Sequence, residues 1–518
     1  MRKWMPLIAV CLGTFMLLVD VTIVTVALPD MAASLSTSFS SLQWVIDIYT
    51  LTLAALLLGM GSVADLRGRR RLYIAGLSVF AVASLGSGLA PSPALLIAAR
   101  GLQGIGGAAM YATTIALLSS SYHGRDRGTA FGIWGAVSGA AAAAGPILGG
   151  LLTESLSWRW IFFVNLPVSV VAIAASARAF APDRPAGAGR LDLPGLVTFT
   201  LGAAAATYGL IRAAAAGWTA ASTLGLLALA LAAFAVFIVI ERRARSPLLD
   251  LPLFRRPAFC GIMIAALLLN AAAFAYLPYS SLWLQTVLRL SPVRAGLLGS
   301  APLALTAFVV SALIGRFLHA SNPRWIIGGG LALVGAGALM QATLTRQSGD
   351  LALLPGLIVV GAGVGLATPT LVSSAMAAVP QHSGGMAAGA VNTARQLGFT
   401  FGVALLGSIF AARMTAVLTA AGTRSSFGPA ISGGQARAVL GQVPVAQRGA
   451  LDQLIHTASA AGLNGSFLLA GLLGIAGSLV AVVTMRRPAP ASPQPPVGPQ
   501  PPASQLAGQA RSSSSTPS

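Results

Sequence analysis

About fourteen apolar runs, each long enough to cross a bilayer, divide the first 485 residues of the chain. They lie near residues 6–28, 44–64, 72–90, 93–120, 128–152, 160–180, 193–212, 222–241, 258–285, 294–318, 324–344, 353–378, 386–412 and 463–485. A spanning barrel strand needs only about 10 residues of alternating character. These runs are apolar on every side and far longer, so they predict helices. The first follows Arg2 and Lys3 but exceeds the roughly 7–15 apolar residues of a secretory leader, and it is expected to persist as a helix. With 56% hydrophobic and 8% charged residues and a mean hydropathy of +0.80, the chain has too little polar surface to enclose one core in water. The expected fold class is all-α, a polytopic membrane protein.

Charge then orients the helices. Loops kept in the cytoplasm are enriched in Lys and Arg, and one side carries Arg2, Lys3, Arg67, Arg69, Arg70, Arg71, Arg125, Arg127, Arg178, Arg242, Arg243, Arg486 and Arg487. The other side has sparse single arginines, so both termini are expected in the cytoplasm. A net charge of +20 would suggest nucleic acid in a soluble domain. Here the arginines are scattered over loops, and orientation plus attraction to anionic lipid headgroups accounts for them; no nucleic-acid partner is expected. The two cysteines, Cys11 and Cys260, lie inside predicted helices and give no disulfide framework or metal site. The four histidines are spread over loops with no nucleophile-base set or ligand spacing. No enzyme activity, cofactor or metal is expected. Residues 486–518, rich in Pro, Ser and Gln, read as a disordered cytoplasmic tail. Residues 413–462 read as an extracellular segment containing a small helical element.

An offset of 257 residues aligns Gly104 with Gly361, Gly106 with Gly363, Gly145 with Gly402 and Gly150 with Gly407. Such internal repetition is common in transporters. It predicts a six-helix bundle over 1–190, a second over 258–485, and two inserted linker helices over 191–257.

Ionisable residues inside spans are costly, about 2.5–3.5 kcal/mol at the helix centre, and must face water or a partner. At about 1.5 Å per residue, Asp20 in the first span, Asp47 in the second and Arg100 in the fourth fall in one layer of the outer half. Burial and a neighbouring guanidinium act on a carboxyl in opposite senses, so either acid can be tuned to exchange protons. Asp20 is expected as the main proton acceptor, Asp47 as an aid to protons or a cationic substrate, and Arg100 as a modulator of both; the alternative is a static ion pair holding the helices together. Arg395, about 15 Å into the thirteenth span, is the only ionisable side chain deep in the second half and needs a carbonyl, water or substrate partner. Asn270, Tyr276, Tyr279 and Gln285, near Pro278, are expected cavity liners, although such residues also bond between helices. Beyond Asp250 the only acids are Asp350 and Asp452, both in expected outer segments. The second half therefore offers no acid inside its spans to hold a dication.

The stretch GSVADLRGRRR, residues 61–71, concentrates charge between two apolar runs. Its Gly61, Asp65, Gly68, Arg69 and Arg70 match the loop between helices 2 and 3 of the major facilitator superfamily, with Leu66 where that family usually has a basic residue. TFMLLVDVTIVTVALPDM, QWVIDIYTLTLA, RGLQGIGGAAM, GPILGG, SWRWIFFVNLP and NTARQLGFTFGVALLGSIF extend the resemblance over about residues 6–485. The chain resembles the fourteen-helix drug:proton antiporters of that superfamily. The resemblance implies two six-helix bundles that rock about a central cavity, a cytoplasmic latch formed by the 61–71 loop, and a directional role for Gly145, Pro146, Gly149 and Gly150 in helix 5. It implies a monomer in the bacterial inner membrane, surrounded by lipid, that exchanges protons for a small-molecule drug. A facilitator or proton symporter of a small metabolite on the same fold is the alternative.

Overall fold

In a computed structural model of the protein, the described residues are 2–122, 124–180, 192–244, 247–249, 251–317, 322–379, 384–424 and 427–485. Fourteen long helical segments run back and forth. They are α1 Met5–Leu35, α2 Phe39–Arg67, α3 Arg69–Leu89, α4 Pro93–Ser121, α5 Gly124–Ser155, α6 Trp160–Ala179, α7 Leu193–Ala216 and α8 Ala221–Arg243. There follow α9 Pro257–Val287, α10 Pro292–Gly299 continued by Ala301–Phe317, α11 Pro323–Gln341, α12 Leu354–Ala377, α13 Gly384–Ala420 and α14 Val445–Thr484. Among the described residues thirteen helices are long and apolar enough to cross a membrane; α5, 32 residues long, packs beside them against α1 and α10. The protein is a multi-pass membrane protein. The face at which α1 begins is called the N-terminal face below, and the opposite one the distal face. The tail expected over 486–518 lies outside the described residues.

Several helices outrun their apolar runs. Residues 413–420 prolong α13, and two short helices, Phe427–Ser432 and Ala436–Gly441, follow. Residues 445–462, read from sequence as part of a separate outer element, instead form the first turns of α14. The stretch VAQRGALDQLIHTASAAG contains no proline after Pro444 and is rich in strong helix formers, so nothing stops the helix at the membrane boundary. In α9 the opposite happens. The helix stops at Ala273, resumes as Leu277–Leu282, and closes with a π turn over Trp283–Val287. Pro278 has no N–H to give and its ring crowds the carbonyl one turn earlier, which accounts for the break.

The glycines at the 257-residue offset sit at corresponding helix crossings. A Cβ at Gly104 would lie 2.5 Å from the Tyr49 carbonyl oxygen on α2, and one at Gly361 would lie 2.4 Å from that of Leu303 on α10. Likewise Gly106 abuts the Gly76 carbonyl on α3, and Gly363 abuts the Gly330 carbonyl on α11. Gly150 on α5 meets α10, and Gly407 on α13 meets Gln43 of α2. Small residues let backbones approach where lipid supplies no hydrophobic drive between helices. The same three contacts therefore recur in the first six and last six helices.

Candidate functional site

Asp20 on α1 and Arg100 on α4 are almost wholly buried and form an ion pair, Nη1 to Oδ2 at 2.5 Å. Their surroundings satisfy both groups. Gln103, one turn after Arg100, donates through Nε2 to Asp20 Oδ1 at 3.0 Å and to Ser84 Oγ on α3 at 2.8 Å. Its Oε1 accepts from Arg100 Nη1 at 2.9 Å. Asn165 on α6 reaches Asp20 Oδ1 and Ser84 Oγ, each at 3.4 Å. Arg100 Nε donates to the Val45 carbonyl of α2 at 3.1 Å, and its guanidinium lies 4.2 Å from the Tyr49 ring centroid. Hence one network joins α1, α2, α3, α4 and α6. Gln103, Ser84 and Asn165 were not singled out from the sequence.

Asp47 shares the depth expected for it but not the network. It is wholly buried, and neither carboxyl oxygen has a hydrogen-bond partner among the described residues. It lies within electrostatic reach of Tyr279 on α9. Two acids in one layer thus differ sharply: one is paired with a cation and bonded on both oxygens, the other has neither donor nor cation.

Asp47 lies beside the seam between α1–α6 and α9–α14. Gln43 Nε2 donates to Tyr279 Oη at 3.2 Å and approaches the Val403 carbonyl of α13 at 3.5 Å, while Tyr279 Oη donates to that carbonyl at 2.5 Å. Thr50 and Thr400 share a hydroxyl bond of 2.7 Å. Gln285 Nε2 donates to the Val26 carbonyl of α1 at 2.7 Å, and Gln435 to that of Thr37 at 3.2 Å. Glu154 accepts from the Val293 amide at 3.3 Å. These contacts occupy the distal half of the molecule. Toward the N-terminal face the described cross-seam bond is Tyr111 Oη to Asn392 Oδ1, 3.3 Å. There Gly61, Gly135 and Gly389 have no neighbour within 4 Å of a Cβ position, and Ile133 and Gly135 of α5 are exposed. Among the described residues, the cross-seam hydrogen bonds are concentrated on the distal side.

The expected liners separate into three places. Tyr279 and Gln285 belong to the distal closure. Asn270 accepts from Arg395 Nε at 3.3 Å, midway through the molecule. Tyr276 lies away from both: it is wholly buried, its hydroxyl accepts from Gln341 at 3.2 Å, and its ring meets Phe467 edge-on at 5.0 Å. Tyr276 caps the segment Leu277–Leu282 just after the break, and Tyr279 lies one turn further on, where it meets α13.

In α5 the glycines face two different neighbours. A Cβ at Gly145 or Gly149 would strike α1, at Thr22 or at the Ile23 carbonyl, while one at Gly150 would strike Pro292 and Val293 of α10; the Pro146 carbonyl lies against Gly296 of α10. In the 61–71 loop, Gly68 alone separates α2 from α3 and adopts φ +99°, a left-handed conformation suited to glycine. Arg70 Nη2 donates to the Ala177 carbonyl at the end of α6, 2.7 Å away, where a cation also meets the negative end of the helix dipole. The Asp65 side chain lies outside the described residues. Elsewhere, an apolar groove of about 600 Å³ between α2, α4, α7 and α8 is lined by Trp44, Ile97, Tyr208 and Leu226, away from the buried charges.

Residues 10–403 match the Major Facilitator Superfamily. The chain is 36% identical over 415 residues to the "Multidrug resistance protein Stp" of Mycobacterium tuberculosis, covering 80% of this chain and 77% of that one. It is 38% identical over 431 residues to the "Puromycin resistance protein pur8" of Streptomyces alboniger, covering 82% and 84%. Among solved structures, an inward-facing, unoccupied bacterial homolog of the human lysosomal transporter Spinster superposes with a TM-score of 0.63 at 17% identity, over 95% of this chain and 99% of that one.

Proposed function

The chain belongs to the Major Facilitator Superfamily, and from that premise we propose that it exports lipophilic drugs or antibiotics across the bacterial cell membrane in exchange for protons, by alternating access. Relatives at 36% and 38% identity that are named for multidrug and puromycin resistance support the substrate class. The arginine-rich N-terminal face is assigned to the cytoplasm by the positive-inside rule. The cross-seam bonds on the distal side then face outward, which fits a conformation that takes up a drug from the cytoplasm. A single chain suffices, since the seam lies between its own first and last six helices.

The observation that carries proton coupling is the contrast between Asp47 and Asp20. A wholly buried carboxylate with neither donor nor cation would cost several kcal/mol, so Asp47 holds its proton in this conformation. Asp20 holds a negative charge against Arg100. Separation of Gln43 from Tyr279 and of Thr50 from Thr400 would bring water to Asp47 from outside and load its proton there, and the proton would leave to the cytoplasm when drug and water reach Asp47 from that side. The main proton acceptor is accordingly assigned to Asp47 rather than to Asp20, with Asp20 and Arg100 as the fixed pair beside it. One proton crossing 100 mV releases about 2.3 kcal/mol, more than the 1.4 kcal/mol of a tenfold concentration ratio. The 61–71 loop, with Gly61, Asp65, Gly68, Arg69 and Arg70, is assigned as the cytoplasmic latch, and the α5 glycines as the outer seal.

The test is puromycin-induced proton movement in everted vesicles. Wild-type protein should release vesicle protons when puromycin is added, and Asp47→Asn should bind puromycin but release none. Undiminished proton release by Asp47→Asn overturns the assignment.

A further inference from the structure

Among the described residues, Arg395 is a charged group near the middle of the molecule for which no acid partner is described. It sits about 15 Å into α13, deep within the protein yet partly exposed. Its Nε donates to Asn270 Oδ1 at 3.3 Å, and no ion pair is described for it. The acids that could serve are committed elsewhere. Asp20 pairs with Arg100, Asp350 with Arg294 at 2.5 Å, and Asp452 with Arg289 at 3.1 Å. Asp47 is shut inside the seam with Tyr279 as its near neighbour. Around Arg395 the polar groups are neutral. Asn270 lies on α9 and Asn392 on its own helix, and Tyr111, across the seam on α4, bonds to Asn392 and lies within electrostatic reach of the guanidinium.

A cation held without a counter-charge inside the membrane-spanning region is costly, and is tolerated where it meets water or a ligand. Asn270 fixes the guanidinium through Nε. That leaves the Nη1 and Nη2 edge, a planar two-donor fork suited to carboxylate or phosphate geometry. A lipid phosphate lies in the headgroup layer, outside a hydrocarbon core about 30 Å thick, and is too shallow to reach this depth.

We propose that Arg395, positioned by Asn270 beside Tyr111 and Asn392, binds an anionic group, a carboxylate or its equivalent, on the exported molecule. This rests on the export reading above and extends it: the substrate class includes amphipathic organic acids and zwitterions beside lipophilic amines such as puromycin. Residues from both sides of the seam lie around the guanidinium, so a bound anion touches both halves.

The experiment uses the full-length protein in nanodiscs and the probe pair 1-naphthoate and 1-naphthamide. Phenylglyoxal modification of Arg395 is followed by peptide mass spectrometry. Naphthoate should slow it about tenfold, the scale of one charge-assisted hydrogen bond, and naphthamide should leave it unchanged. Equal protection by both probes, no protection by either, or an Arg395 that phenylglyoxal cannot reach overturns the proposal. So does protection by phosphatidylglycerol nanodiscs alone relative to phosphatidylcholine, which would make the anion a lipid. In a second arm, naphthoate affinity should fall about tenfold in Arg395→Gln and recover in part in Arg395→Lys; unchanged affinity in Arg395→Gln also refutes it. No arm uses a proton gradient, so a protein that binds naphthoate through Arg395 but exports nothing keeps this proposal and loses the export reading.

Discussion

Gly149 and Gly150 are adjacent in α5, yet enlarging each should have a different kind of effect. A Cβ at Gly149 would lie 2.7 Å from the Ile23 carbonyl oxygen of α1, within the first six helices. One at Gly150 would lie 2.6 Å from Val293 Cα and 2.7 Å from the Pro292 carbonyl oxygen of α10, across the seam. Ordinary contact begins at 3.4 Å, and both obstacles are backbone that cannot rotate aside. Overpacking of this sort costs about 1–3 kcal/mol. At Gly149 the cost falls on every conformation and lowers stability. At Gly150 it falls on the distal-closed conformation alone, because α5 and α10 part when that side opens. A bias of about 1–3 kcal/mol changes the closed-to-open ratio roughly 5–150-fold. Gln285→Cys, at the distal seam, reports the ratio through its labelling rate by a membrane-impermeant maleimide. Gly150→Ala should accelerate labelling within that range with little change in melting temperature, and Gly149→Ala should lower the melting temperature with little change in labelling. If both variants label at the parental rate, or both accelerate equally, the division of α5 between a fixed and a moving neighbour is wrong.

Other outcomes follow from the buried polar groups. Asp20→Asn leaves Arg100 buried without its counter-ion and should cost about 3–5 kcal/mol, read as a lower melting temperature in detergent. Adding Arg100→Gln should restore part of that loss, and a single variant as stable as the parent would refute the ion-pair reading. Asp47→Asn removes no hydrogen bond and should change stability by less than about 0.5 kcal/mol; a large melting shift would mean a partner for Asp47. Gly68→Ala forces a left-handed conformation on a residue with a Cβ and should destabilise by about 1–2 kcal/mol, measured the same way. Parental stability there would mean that the α2–α3 link can relax.

The helices and the layer of buried charge were legible because lipid makes both requirements absolute: a span must be apolar and long, and a charge inside it must stand out. Asp20 and Arg100 were therefore visible from depth alone, and the structure pairs them. Gln103, Ser84 and Asn165 were not, since an uncharged polar residue in a span is too cheap to attract notice. One signal was available for Gln103, which stands three residues after Arg100 and so shares its helix face. The different surroundings of Asp20 and Asp47 could not be read, because they depend on which neighbours point at each carboxyl. Tyr276 and Tyr279 meet different helices, α11 and α14 for one and α13 for the other, and which helix stands beside which residue is not written in the helical period. The α14 extension escaped because hydropathy marks the membrane edge, whereas the helix ends only at a breaker.

The Asp20 network contains side chains or carbonyls from α1, α2, α3, α4 and α6, and no described bond in it comes from α5. Five helices are pinned to a common point and must swing as a single stiff arm. The sixth packs on α1 through Gly145 and Gly149, travels with that arm, and presents Gly150 to α10 as its bearing surface. Wear on such a machine would show first at the bearing, where one added methyl group is enough to jam it, and not at the pin.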